Sequence, residues 1–389
     1  MPLSAGRDNA GVRTRHALAC FALAICISWN AGNLGPVAAE LAREFDVGLS
    51  TIGLASGTFF FAGVVAASLA GAELARRIPV RTGLIASCSL AFAGNAICAL
   101  SPSFAVLSAG RVVTGVALGL VLLFAGAYAR AAGGLRLLGL YGAGVTLGVA
   151  AALGVGGLLE EVNADWWVPF VLAAGIALIP LPLIPREVPG APAHDEPRQG
   201  VLREAAVIPA FWRLQLLATS ALGVPMVIGA WLVVYLVGEG GLAAGVAGAV
   251  SFAMFGLSAA SRYAGGLLSA REAPPGAVAV AGCLAGGAGI AALALIDGLG
   301  GALLATLLIG AGLSLPSALV YDEGELVLPD RPLGGLGLIL VGSSFFPIVV
   351  IPLVGAALGE GDGEAALLAL AAFVLIAGVA NLKPAQPAN

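Results

Sequence analysis

Charged residues are scarce in this chain. Asp, Glu, Lys and Arg make up 10% of its 389 residues, against about a quarter in an ordinary soluble domain. Histidine is scarcer still, with two copies, His16 and His194, which cannot furnish a typical metal centre. No DDxxD, HExxH or G-x-S-x-G pattern occurs, so a membrane-embedded enzyme lacks its usual metal- or phosphate-handling residues, and no catalytic residue, cofactor or metal is expected. The five cysteines, Cys20, Cys26, Cys88, Cys98 and Cys283, all fall in apolar runs. Their odd count argues against a disulfide framework, and they read as small apolar filler in helices. A net charge of -4 is spread over connections and marks no nucleic-acid surface.

What remains is apolar: 59% hydrophobic residues and a mean hydropathy of +1.01. A single soluble core stops growing near ~250–300 residues, so the lipid bilayer is the expected solvent. A hydrocarbon core of ~30 Å asks for about 20 apolar residues per helix. Such runs centre on 17–38, 50–72, 82–100, 104–128, 136–159, 166–185, 213–238, 243–270, 276–296, 299–321, 333–358 and 364–382. The first run exceeds a ~7–15-residue signal core and reads as a retained span.

Charge asymmetry orients these runs. With a cytoplasmic N-terminus, the inner segments hold Arg7, Arg13, Arg15, Arg76, Arg77, Arg81, Arg130, Arg136, Arg186, Arg198, Arg203, Arg213, Arg271, Arg331 and Lys383, while the outer loops hold only Arg43. Acids concentrate outside, as at Glu160, Glu161, Asp165, Glu239 and Asp297. The expectation is an all-α polytopic protein of twelve transmembrane helices, both termini cytoplasmic, in the inner (plasma) membrane. The proline-rich, mixed-charge break at 185–212 divides it into six-helix bundles at 1–184 and 213–389. "GAELAR" at 71–76 and "GLLSAR" at 266–271 end the second helix of each half, the mark of a duplicated, pseudo-symmetric fold.

Several motifs now share one source. The loop "GAELARRIPVR" is similar to the G-x-L-a-D-R-x-G-R-K pattern of the major facilitator superfamily, with Gly71 and Arg76 matching and Ala75 in place of the acid. "GRVVTG" supplies Arg111 and Gly115 of that family's R-x-x-x-G. The glycine-rich "GVAAALGVGG" resembles the antiporter element, with Leu153 where those proteins carry proline. The resemblance implies a transporter, working as a monomer, with one site between its halves exposed to each side in turn.

Apart from the connections, the spans hold two charges, Arg111 and Arg262, and no acid at their centres. A central arginine costs at least ~2.5–3.5 kcal/mol and normally faces a cavity or a partner. "RYAGGLLSAR" resembles the eighth span of the nitrate/nitrite porters, R-P-x-G-G-x-x-S-D-R, whose arginine clamps the anion. Tyr263 stands where that pattern has proline, Ala270 where it has the acid, and Ala67 where the family has a second arginine in span two. These departures point away from nitrate itself and leave a small anion. Two cations without acids make a positive cavity, which fits anion transport by uniport, exchange or proton-carrying symport.

The candidate binding set is Arg262 and Arg111, joined by Asn30, Asn33, Trp29, Trp231, Tyr235, Ser343 and Ser344. For each, a purely structural role stays open: helix carbonyls for the arginines, interhelical bonds for the amides and packing for the tryptophans. On the inner face, Arg76, Arg77 and Arg81 in one half oppose Asp322 and Glu323 in the other, a candidate cytoplasmic gate. Two alternatives stand beside anion transport. One is an efflux permease for neutral or apolar molecules with structural arginines; the other is a non-transporting sensor or scaffold.

Overall fold

A computed structural model describes residues 5–189 and 200–382. Part of the linker, with His194 and Arg198, lies outside the described residues, as do Lys383 and the side chains of Arg7 and Arg13. Among the described residues all regular structure is helical.

The helices follow the apolar runs. They are span 1 (Thr14–Glu44), span 2 (Leu49–Gly71), span 3 (Val80–Ala99), span 4 (Phe104–Gly134), span 5 (Arg136–Glu161) and span 6 (Val168–Leu183). After a short linker helix, Val201–Ala206, come span 7 (Pro209–Gly238), span 8 (Ala244–Ser269), span 9 (Pro275–Leu295), span 10 (Gly298–Leu326), span 11 (Gly334–Glu360) and span 12 (Gly363–Ala380). Eleven of the twelve are long and apolar enough to cross a bilayer, which makes this a multi-pass membrane protein. Span 6 is the short one. Its α-helix Val168–Leu178 gives way to a 3-10 turn at Leu181–Leu183, beside Pro180 and Pro182, which lack the N–H a helix needs.

Regular α geometry is abandoned at telling places. Span 1 breaks into 3-10 turns at Trp29–Ala31 and Gly35–Val37. Span 2 widens to a π-helix over Leu54–Phe59, and span 7 does so over Thr219–Gly223. Such departures free main-chain groups from the i→i+4 ladder. Spans 4 and 5 join without a loop, the chain reversing at Gly134, where φ is +61°, a conformation open to glycine.

The two halves repeat one contact. A Cβ added to Gly115 of span 4 would lie 1.9 Å from the Phe60 carbonyl oxygen of span 2. In the second half, a Cβ on Gly310 of span 10 would lie 2.3 Å from the Met254 oxygen of span 8. Lipid gives helices no hydrophobic reason to associate, so backbone approach of this kind holds each bundle.

The halves meet mainly at the end away from the linker. There Thr58 Oγ1 of span 2 donates to the Ile348 oxygen of span 11 at 2.7 Å. Glu161 of span 5 accepts from the Gly245 N–H at the start of span 8 at 3.0 Å. A Cβ on Gly157 would lie 2.7 Å from Gly248 Cα, so spans 5 and 8 touch backbone to backbone. At the arginine-rich linker end, an exposed ion pair, Arg130–Glu325 at 3.9 Å, crosses between the halves.

Candidate functional site

Two arginines, Arg111 and Arg262, lie well inside the apolar spans, away from their ends, and their surroundings differ. Arg111 sits two turns into span 4, fully buried. Its Nη2 donates to the Asn30 carbonyl at 3.0 Å, its Nη1 to Asn33 Oδ1 at 3.2 Å, and its Nε to the Ala55 carbonyl at 3.4 Å. The Phe60 ring lies beneath the guanidinium, 4.4 Å from centroid to Cζ, a cation–π contact. The breaks in spans 1 and 2 explain why these acceptors exist. Asn30 lies in the 3-10 turn where Gly32 and Asn33 both donate to the Trp29 oxygen, and Ala55 lies inside the π-helix.

Asn95 of span 3 closes the network. Its amide donates to Asn30 Oδ1 at 2.6 Å and to the Ala91 carbonyl at 2.7 Å, and its oxygen accepts from Asn33 at 3.3 Å. Asn30 in turn donates to the Ile27 carbonyl. All three amides are buried. One guanidinium and three amides therefore tie spans 1, 2, 3 and 4 together with their hydrogen-bonding groups mutually occupied. Sequence reasoning named three of the four residues and missed Asn95; an amide in the middle of "AFAGNAICA" was the available signal.

Arg262 has no such cage. It lies about 12 Å, or eight residues at 1.5 Å each, from the end of the helix Ala244–Ala270 at the arginine-rich side. Its Nε is buried and has no hydrogen-bond partner. Around it, span 8 presses on span 10. Ser258 donates to the Gly310 oxygen at 3.2 Å, Ser261 donates to the Ala311 oxygen at 2.5 Å, and a Cβ on Gly265 would lie 2.1 Å from the Leu315 oxygen. Ser314, on the same stretch of span 10, is buried with its hydroxyl unpartnered. Tyr321 of span 10 lies near Arg262 and near Tyr141 of span 5 in the other half.

Trp29 is not brought together with Trp231 and Tyr235, which line one small cavity of the second half. Trp29 packs with Ala152 and Ala173 of spans 5 and 6 in the first half. Trp231 donates to the Ile351 carbonyl at 2.9 Å, and Tyr235 donates to the Leu293 carbonyl at 3.2 Å, both inside the second half. Ser343 and Ser344 turn their hydroxyls back onto the Leu340 carbonyl of their own helix. The expected gate residues are each engaged locally. Arg76 and Arg77 both bond Glu73, whose carboxyl they hold below the usual carboxylate range. Arg81 Nε donates to the Pro185 carbonyl at 3.2 Å. Asp322 accepts from Ser269, and Glu323 lies in the field of Arg213.

Comparison with known proteins fits this geometry. The family model of the Major Facilitator Superfamily matches residues 20–322. The D-xylose-proton symporter-like 2 protein of Arabidopsis thaliana is 32% identical over 151 residues, 36% of this chain and 29% of that relative, so the match spans under a third of the relative's length. Among solved structures, a bacterial homologue of the human lysosomal transporter Spinster, inward-facing and unoccupied, has a TM-score of 0.77 at 18% identity, covering 95% of this chain and 96% of its own. A D-xylose-proton symporter has a TM-score of 0.77 at 12% identity, covering 96% and 98%. A nucleoside transporter has 0.74 at 14%, covering 95% and 99%. At such identities the likeness is one of fold.

Proposed function

Because the chain belongs to the Major Facilitator Superfamily, we propose that it transports a small anionic solute across the membrane by alternating access, and that Arg262 is the group that holds the anion. The observation carrying this reading is the buried, unpartnered Arg262 Nε, in a region with no acidic neighbour at the span centres. A buried donor needs an acceptor, and the fold leaves the Arg262 Nε without one while supplying three acceptors to Arg111. The planar guanidinium matches an oxyanion with two parallel charge-assisted bonds. Ser314 adds a hydroxyl without a partner, and Tyr321 lies nearby. Arg111, Asn30 and Asn33 serve in this reading as the brace of the first half rather than as ligands.

With the N-terminus cytoplasmic, the contacts between the halves seal the outer end, and the arrangement is inward-facing. The Arg262 side of the seam then faces the cytoplasm. Rocking the bundles to the outward-facing state closes the arginine-rich end. The loop bearing Arg76, Arg77 and Arg81 then approaches Asp322 and Glu323, which are opposite in charge, adding to the Arg130–Glu325 pair already in place. Exposed pairs contribute only ~0–1 kcal/mol each, enough together to bias a two-state equilibrium.

A second reading has support of its own, the match to a sugar symporter-like relative. Under it, Arg262, Ser314 and Tyr321 hydrogen-bond the hydroxyls of a neutral polar solute. Uptake into proteoliposomes separates the two. An anion panel and a sugar panel are compared in wild type, Arg262→Ala and Arg262→Lys. The anion reading expects uptake that responds to membrane potential or to a proton gradient, lost in the alanine variant and partly kept in the lysine variant. Sugar uptake with no competition from anions supports the second.

A further inference from the structure

We infer that the cleft between the arginine-rich ends of spans 1, 3 and 6 binds the phosphate group of an anionic membrane lipid. The cleft has a volume of about 570 Å³ and is lined by His16, Val80, Arg81, Arg186, Glu187 and Val188 together with two prolines. Its height is set by the helices. His16 is the third residue of span 1, Val80 opens span 3, and Arg186 follows the last turn of span 6 at Leu181–Leu183. All three positions lie where apolar helix ends and polar connection begins, the level of lipid headgroups.

The charges are poised for an anion. Arg81 and Arg186 form no ion pair with a described acidic residue, although Glu187 is adjacent. Arg81 is held in place by its Nε bond to the Pro185 carbonyl at 3.2 Å, leaving its terminal nitrogens to serve a ligand. His16 is anchored by a 2.5 Å bond between its Nδ1 and the Tyr128 hydroxyl of span 4, and Arg15 lies close enough to act on it electrostatically. Two arginines and an imidazole thus line the cleft beside one carboxylate. The remaining walls are apolar, at Val80, Val188 and the prolines. That mixture suits an amphiphile, whose phosphodiester meets the arginines while its glycerol and upper acyl carbons lie on the valines. A free phosphate would gain nothing from them. Basic pockets between membrane helices are a recurring way of holding anionic headgroups.

The test uses the purified full-length protein, stripped of lipid and titrated with phosphatidylglycerol, phosphatidylcholine or inorganic phosphate. Bound lipid is counted by native mass spectrometry, and the unfolding midpoint is recorded. Phosphatidylglycerol is expected to bind and raise the midpoint, with phosphatidylcholine weaker and phosphate alone without effect. The double variant Arg81→Gln/Arg186→Gln should weaken phosphatidylglycerol binding about 30-fold, from two contributions of about 1 kcal/mol each. Val188→Trp, which fills the cleft and keeps both charges, should weaken it too. Arg271→Gln, at the same end but outside the cleft, should not. Should the double variant fold poorly, the tryptophan variant alone decides. Undiminished phosphatidylglycerol occupancy in both cleft variants overturns the proposal. So does stabilisation by inorganic phosphate equal to that by the lipid.

Discussion

Arg111 in the first half and Arg262 in the second pose one electrostatic problem and meet it in opposite ways. Around Arg111 the backbone itself has been rearranged. A 3-10 break in span 1 and a π-helix in span 2 offer carbonyls, Asn33 offers an amide oxygen, and Phe60 covers the cation. Around Arg262 the neighbouring polar groups spend their bonds on helix packing: Ser258 and Ser261 donate to span 10 carbonyls, and the arginine Nε is left over. Insertion cost is therefore offset inside the protein in one half. In the other the Nε keeps no partner within the protein, and in the proposed reading a solute supplies it.

The comparison is broken most forcefully at Arg111. Arg111→Ala strands three acceptors in a buried site, and charge-assisted bonds contribute roughly 1.5–3 kcal/mol each. We expect a loss of at least about 3 kcal/mol, seen as a sharp fall in the unfolding midpoint or in the yield of folded protein. Arg111→Lys should not rescue it, because one ammonium cannot span the three acceptors. Next comes Arg262→Ala, expected to lower apparent solute affinity roughly 10- to 100-fold in uptake assays while leaving the midpoint almost unchanged. If the two arginines exchanged these phenotypes, the contrast between the halves would be reversed. Asn95→Ala sharpens the account of the brace. It removes one member of a buried network, with an expected cost of about 1–2 kcal/mol by thermal unfolding and intact uptake. Smallest is Arg130→Glu, which disrupts an exposed pair worth about 0–1 kcal/mol. It should shift the distance distribution between labels at the two arginine-rich half-ends, and Glu325→Arg on top of it should restore that distribution.

The twelve spans were legible because each apolar run is long enough to register in composition alone, and the repeat because matching motifs end the second helix of each half. The shortness of span 6 was written in Pro180 and Pro182. The breaks in spans 1, 2 and 7 were not legible, since hydropathy carries no record of whether a carbonyl is bonded four or five residues on. Side-chain direction was equally hidden. In a helix apolar on every side the period that distinguishes faces is lost, so the sequence left open whether Trp29 and Trp231 pack or meet a ligand. Trp29 packs within the first bundle, and Trp231 donates to a carbonyl within the second. Asn30 and Asn33 were placed on one face by their spacing. What gathers them is Arg111 and Asn95, from two other helices.

The most direct test is a titration of purified wild type, Arg262→Ala and Arg262→Lys with a panel of small anions, read as the shift in unfolding midpoint. The account predicts that at least one anion stabilises the wild type, that the alanine variant loses the shift, and that the lysine variant keeps part of it. An anion that stabilises all three equally would contradict it.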